Sequence, residues 1–274
     1  MLLFPNCKIN LGLNIVGVRP NGYHDLQTVF YPIQLTDVLE IAFPEHQSAE
    51  YLWQTSGIDL NIPDDKNLCI KALKKVKERF DVPPVALHLR KNIPFGAGLG
   101  GGSSDAAAVI TGLNSMLHLG MTTDEMCAIA ATLGADCPFF IVNRPMSAEG
   151  IGEILKPTPV NLKGRQIIIV KPPFSMSTAE AYQQIECSAP ELSPADVVKT
   201  DIANWKEQLT NDFEKPLFAR FPRLAQIKEQ FYAAGASYAA MSGSGTAMFA
   251  IFDSAIPQYL TFDDCFVWRG TLDY

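Results

Sequence analysis

Residues 93 to 109 read IPFGAGLGGGSSDAAAV, and five of the chain's 19 glycines fall between Gly96 and Gly102. Glycine loses more conformational freedom on folding than any other residue, so so dense a run must do something that side chains would prevent. Ser103, Ser104 and Asp105 follow at once and are predicted to cap an apolar helix that begins there. Backbone N–H groups in glycine-only conformations, joined by the orphan N–H groups that open a helix, converge on one point and bind an anion. Pro94 and Phe95 lead in, Ala97 and Leu99 separate Gly96, Gly98 and Gly100, and the hydroxyls of Ser103 and Ser104 can reach phosphate oxygens. A helix dipole adds ~0.3–2 kcal/mol in favour of negative charge. The stretch from Pro94 to Ser104 is therefore predicted to bind a polyphosphate through its backbone.

Other readings of these glycines fit less well. Gly96, Gly98 and Gly101 match G-x-G-x-x-G, but KNIP separates them from the preceding strand, and the acids at ribose spacing, Asp124 and Glu125, open a helix. A Walker A loop needs a lysine directly after the glycines, and there is none. A flexible linker would not run into a capped helix.

Three further groups carry possible chemistry. In CKINLGLNI, Ile9, Leu11, Leu13 and Ile15 alternate with Lys8, Asn10, Gly12 and Asn14, which predicts a half-buried strand with Lys8 and Asn10 side by side on its polar face. Asp136, in GADCP after a helical stretch, could accept a proton from an alcohol if held beside a cation, and Lys8 could supply that cation. Taken singly, each has a plainer alternative as a solvated turn aspartate or an edge-strand lysine. Tyr23 and His24 follow a Pro-Asn-Gly turn. They could simply pack, yet an aromatic beside a hydrogen-bonding ring is also what stacks on a base and reads its edge. His46, His88 and His118 share no spacing, so no metal site is expected from them. Ser244, between Gly243 and Gly245, marks either a second polar loop or a tight turn.

The elements that must hold these residues read as a mixed fold. Helices are predicted over 66–80, from Ser103 to about Leu119, from the capping-box pair Thr122 and Glu125 to Gly134, and over DVVKTDIANWKEQL and PRLAQIKEQFYAAG. Strands are predicted for QTVFYPIQLTDVLEIAF, 85–90, 166–173 and TAMFAIF, with ADCPFFIVN leading toward another and GIGEILKPTPVNLKGR serving as a connection. With no recurring βαβ period, α+β is the expected class. The Pro and Gly cluster at 157–164 suggests a boundary between domains at 1–158 and 159–274.

Composition bounds the partners. The net charge of −7 argues against nucleic acid or an anionic membrane as the main partner, and no apolar run approaches the length of a membrane span. Six scattered cysteines read as small buried hydrophobes in a reducing compartment, so a cytoplasmic protein is expected.

With these residues in view, PFGAGLGGGSSDAAA resembles the phosphate-binding motif of the GHMP kinases, a family of small-molecule kinases. CKINLGLNI and MSGSGTAMFA (241–250) fall where that family has its other motifs. KINLGLNIVGVRPNGYHDLQTVFYPI, GADCPFF and NDFEKPLF look like the branch that acts on a diphosphocytidyl methylerythritol for isoprenoid precursor synthesis. The resemblance spans about residues 4 to 252. It implies a two-domain α+β fold, with an N-terminal ribosomal-S5-domain-2-like domain and a C-terminal ferredoxin-like domain. It further implies ATP with Mg2+ as cofactors, with no protein ligand for the metal identifiable by motif. By the same resemblance, Lys8 and Asp136 form the catalytic pair, and Asn67, Leu68 and Lys91 lie around the adenine. Asn10, Tyr23, His24 and Tyr182 would meet the cytidyl diphosphate substrate. The sequence departs from the family pattern at Asn6-Cys7, where Pro-Ala is usual. A kinase of the homoserine or mevalonate type, or a silent ligand-sensing relative, is the alternative; keeping both Lys8 and Asp136 argues against the latter.

Overall fold

A computed structural model describes residues 1–44, 50–60, 62–183, 185, 187 and 189–274; His46 lies outside them. In chain order the strands are β1 (Leu2–Leu3), β2 (Asn6–Val18), β3 (His24–Thr36), β4 (Val38–Ala42), β5 (Tyr51–Gly57), β6 (Val85–Lys91), β7 (Met146–Glu149), β8 (Ile154–Pro157), β9 (Gln166–Lys171), β10 (Tyr238–Met241), β11 (Met248–Phe252) and β12 (Phe266–Thr271). The helices are α1 (Leu68–Lys77), α2 (Gly101–Met116), α3 (Thr123–Ala131), α4 (Cys137–Val142), α5 (Thr178–Tyr182), α6 (Pro194–Val197), α7 (Trp205–Gln208), α8 (Glu214–Arg220) and α9 (Pro222–Ala233). They fall into two compact units. Met1–Cys7, Leu35–Phe95 and Gly100–Asn143 form one, and Lys8–Gln34, Gly96–Leu99 and Arg144–Tyr274 form the other. The Pro and Gly cluster at 157–164 lies inside the second unit.

The first unit is built on a sheet ordered β1-β4-β6-β5. Its β5–β6 pair is parallel, and a parallel pair needs a crossover, which α1 supplies. Asn67 starts α1 by accepting the Cys69 N–H on its side chain at 2.9 Å. Leu39, Ile41, Leu87 and Leu89 of the sheet share one core with Leu73 and Val76 of α1 and with Val109, Ile110 and Leu113 of α2. The capping box at Thr122 and Glu125 forms as predicted.

Two local expectations change in this unit. The helix expected to open at Ser103 begins at Gly101, because Gly100 takes the left-handed conformation (φ 72°) and its carbonyl already accepts the Ser104 N–H at 3.0 Å. Ser103, Ser104 and Asp105 therefore lie within the helix and do not cap it. Residues 137–142, read as a lead toward a strand, form the helix α4. Proline is favourable at a helix start, and Cys137, Phe139 and Phe140 are buried beneath it.

The second unit carries sheets ordered β2-β3-β7-β8 and β10-β11-β9-β12. Ile168, Val170, Met248, Ala250 and Phe252 share a core with Phe213, Leu217, Leu224, Ile227 and Phe231 of the α8–α9 region. The stretch 196–209, expected as one helix, breaks into the end of α6, a 3-10 turn at Ile202–Asn204 and α7. Asp201 restarts the chain there by accepting the Ala203 N–H at 2.9 Å, as short polar side chains do when they compete with a helix. The expected connection at 150–165 contains β8.

β2 also departs from its half-buried reading, since Asn6 to Ile15 are all buried. Its polar face is covered by partners within the unit. Asn10 donates to the Thr28 hydroxyl at 3.0 Å, Asn14 donates to Asp212 at 3.0 Å, and the Lys8 ammonium lies 4.7 Å from the centre of the Phe30 ring.

Leu113 is fully buried in the first unit's core. Leu113→Ala is expected to cost about 2–5 kcal/mol in chemical denaturation, and Leu113→Met less than about 1.5 kcal/mol, because the methionine fills the space. Equal losses for the two would place Leu113 outside the packed core.

Candidate active site

The second unit joins three of the motifs. Residues 96–99 lie against the start of β2 and against the 242–246 loop between β10 and β11. Three consecutive carbonyls of this loop are each held from inside: Ala97 O by the Ala247 N–H at 3.1 Å, Gly98 O by the Ser242 hydroxyl at 3.0 Å, and Leu99 O by the Lys8 N–H at 2.9 Å. A trans peptide points its N–H opposite to its C=O. The N–H groups of Gly98, Leu99 and Gly100 are thereby turned away from those inner partners, as an anion cradle requires.

Not every glycine here serves a ligand. Gly98 has φ +74°, and a Cβ on it would run into the Ser242 carbonyl. In the first unit, a Cβ on Gly101 would stand 2.9 Å from Ile93 Cγ2 and 3.3 Å from Lys91 Nζ. Both glycines are required by close packing of the protein on itself.

Lys8 is 3% exposed, and its ammonium donates to Asn10 Oδ1 at 2.5 Å. Asn10 Oδ1 also faces the Ser242 hydroxyl at 3.5 Å. Asn211, which sequence reasoning passed over although it opens NDFEKPLF, holds the neighbouring loop. Its amide donates to Met241 O at 2.8 Å and Gly243 O at 2.9 Å, and its oxygen accepts the Phe213 N–H at 3.0 Å. Glu214 completes the seat by accepting the Met241 N–H at 2.8 Å and pairing with Lys228 at 2.6 Å.

The same unit brings together His24 and Tyr182, whose rings are 4.7 Å apart and tilted by 34°. Tyr182 stands edge-on to the fully buried Phe213 at 4.9 Å, which fixes its plane. Tyr23 is 59% exposed on the adjoining turn, leaving its ring open for stacking. Ser244, the marked residue of the 242–246 loop, faces the Thr178 hydroxyl at 3.4 Å.

The first unit gathers the remaining candidates at the start of α2. A Cβ on Gly102 would lie 3.7 Å from Leu68, and Lys91 adjoins Gly101, so both residues expected near the adenine border this helix end. Asn67 is the buried cap of α1. The Lys91 ammonium is bound to two buried carboxylates, Asp37 and Asp105. Asp136 occupies the N-cap position of α4, half-buried, in the turn where the Cys137 N–H bonds Gly134 O at 3.1 Å. A Cβ on Gly134 would lie 3.4 Å from the Cys137 sulfur and 4.0 Å from Ser103 Oγ, so the turn bearing Asp136 adjoins the opening of α2. Burial pushes that thiol up to about 11 against the pull of Ser103, so Cys137 is no nucleophile at neutral pH.

Comparison with known proteins makes the chain a kinase, a phosphotransferase. The model of the GHMP kinases N terminal domain matches residues 67–144, and that of the GHMP kinases C terminal matches 195–258. The chain belongs to the GHMP kinase family. It is 46% identical over 274 residues to the 4-diphosphocytidyl-2-C-methyl-D-erythritol kinase of Parabacteroides distasonis, covering 99% of this chain and 100% of that one. To the same enzyme of Bacteroides fragilis it is 45% identical over 252 residues, 92% of each chain. Among solved structures, that of 4-(cytidine 5'-diphospho)-2C-methyl-D-erythritol kinase superposes with a TM-score of 0.85 at 30% identity over the full length of both chains. The mevalonate kinase of Methanococcus jannaschii, at 16% identity and TM-score 0.76 over 100% of this chain and 98% of its own, shares the fold.

Gly98→Ala combines a left-handed strain with a backbone collision. It is expected to weaken ATP binding by roughly tenfold or more, ~1.4 kcal/mol, in titration calorimetry. Unchanged affinity would move the cradle elsewhere.

Proposed function

We infer that this chain transfers the γ-phosphoryl group of ATP to the 2-hydroxyl of 4-diphosphocytidyl-2-C-methyl-D-erythritol, a step toward isoprenoid precursors. The relatives of near-full-length identity support the substrate, and the inward-held carbonyls of residues 97–99 carry the phosphate assignment. In this reading the N–H groups from Gly98 onward, together with the opening of α2, hold the ATP phosphates, while Asn67, Leu68 and Lys91 border the adenine. Bound together with the nucleotide, Mg2+ would supply positive charge against the phosphates.

Phosphoryl transfer needs an oriented alcohol, a proton acceptor and a cation for the transferring group. Asp136 takes the hydroxyl proton. Lys8 supplies the cation; because it is buried, its charge is screened by little water and acts strongly at short range. Asn10 aims it. Tyr23, His24 and Tyr182 form the cytosine slot, in which the two tyrosines give flat contact and His24 reads the pyrimidine edge. The six free cysteines suit a reducing compartment, which supports a cytoplasmic location, and no helix among the described residues is long and apolar enough to cross a membrane.

An ATP-consumption assay over a panel of alcohols should single out the cytidyl substrate, and preference for homoserine or mevalonate would overturn the assignment. Asp136→Asn and Lys8→Ala should each lower kcat by roughly a hundredfold or more, with ATP affinity changed far less. Near-parental turnover of Asp136→Asn would remove it from the proton-accepting role. For specificity, His24→Ala should raise KM for the cytidyl substrate and narrow its advantage over a uridyl analogue, whereas Tyr23→Ala should weaken both alike, since stacking tolerates any base. An unchanged cytidyl-to-uridyl ratio in His24→Ala would mean the edge is read by other groups.

A further inference from the structure

Lys91, at the end of β6, buries its ammonium between Asp37, which precedes β4, and Asp105, at the opening of α2. All three side chains are at most 3% exposed. One cation beside two ionised carboxylates would leave a surplus negative charge out of reach of water, at a penalty of several kcal/mol.

The hydrogen-bond donors are divided unequally between the two acids. Asp37 Oδ1 accepts the N–H groups of Asn92 at 2.6 Å and Ile93 at 2.9 Å, and its Oδ2 accepts from Lys91. Asp105 accepts Lys91 at 2.7 Å on Oδ2, while its buried Oδ1 has no hydrogen-bond partner among the described residues. A carboxyl with three donors keeps its charge, and one with a single donor and a bare oxygen takes the proton. We propose that Asp105 is a neutral carboxylic acid in the folded enzyme, keeping negative charge off the helix end that faces the phosphates. This rests on the assignment of α2 to ATP. An ionised Asp105 would offset the positive end of the helix and repel the nucleotide.

The surroundings agree. Burial pushes the Asp105 carboxyl up to about 8, Lys91 pulls it back, and Asp37 pushes it up again. Burial lowers Lys91, but the two acids together outweigh it, and the ammonium stays charged. From α1, the Cys69 thiol faces the cluster and is held neutral by burial.

The sign of the linked stability follows. An unfolded aspartate titrates near ~3.9, so between that pH and about 8 the folded chain binds a proton the unfolded chain lacks. The contribution is complete below the unfolded value and is lost as pH rises to about 8. Parent stability should therefore decline with pH over this window relative to Asp105→Asn, a neutral isostere.

Carbon-13 labelling of the aspartate carboxyls tests the protonation without any nucleotide. The parent at pH 7 should show a protonated aspartate signal that vanishes at higher pH and is missing from Asp105→Asn. Its absence at pH 7, or its persistence in the variant, would overturn the proposal, as would failure of the variant to fold. In kinetics, KM for ATP should rise about two- to fivefold from pH 7 to pH 9 in the parent, the scale of one charge at a helix end. It should stay flat in Asp105→Asn, and a parallel rise in both proteins would overturn the link to the phosphates. A labelled signal as expected in a protein that binds no ATP would sink the nucleotide reading and leave the protonation state standing.

Discussion

The orientation of three peptide planes, at Ala97, Gly98 and Leu99, is the constraint on which the rest of the site depends. Each plane is fixed because its carbonyl is satisfied from within: by β2, by the Ser242 hydroxyl and by the chain entering β11. A buried carbonyl without a partner is costly, so these bonds leave the planes little freedom to flip. Lys8 takes part twice. Its backbone N–H locks one plane, and its ammonium donates to Asn10. A disturbance of β2 would therefore reach the 96–99 loop and the Lys8 side chain together. Asn211 and Glu214 extend the scaffold one step outward by pinning the loop that carries Ser242.

Two buried lysines anchor different parts of the molecule. Lys91 is placed against carboxylates, which makes it a structural tie between β6, the segment before β4 and the opening of α2. Lys8 donates to the Asn10 amide oxygen and lies over the Phe30 ring.

Much of this was legible in the sequence where the signal is local. The Thr122–Glu125 box, the turn before Tyr23 and the α1, α9 and β11 patterns appear where expected, because caps, turns and amphipathic faces are written in adjacent residues. The alternation in β2 located the strand and its two faces correctly. It could not show that the polar face is buried as well, since Thr28, Phe30 and Asp212 cover it from elsewhere in the chain. Residues 137–142 and 196–209 went astray because short helices draw their stability from packing more than from pattern. Gly98 and Gly101 were read as open to a ligand, yet the contacts that demand glycine there come from Ser242 and Ile93. Asn211 looks ordinary in sequence and Asp105 looks like a helix cap; their partners give them their roles.

The order in which the chain visits its two units bears on how the protein is made. The second unit takes residues 8–34 from the start of the chain and residues 144–274 from its end. β2 thus leaves the ribosome early, but Asn211, Asp212 and Ser242, which complete its surroundings, are synthesised roughly two hundred positions later. At about 5–20 residues per second, the strand bearing Lys8 waits ten seconds or more for its neighbours. Through that interval the strand's inward residues lack the side chains that cover them in the finished protein. The first unit meets no such delay, since its last residue, Asn143, is made before half of the second has appeared.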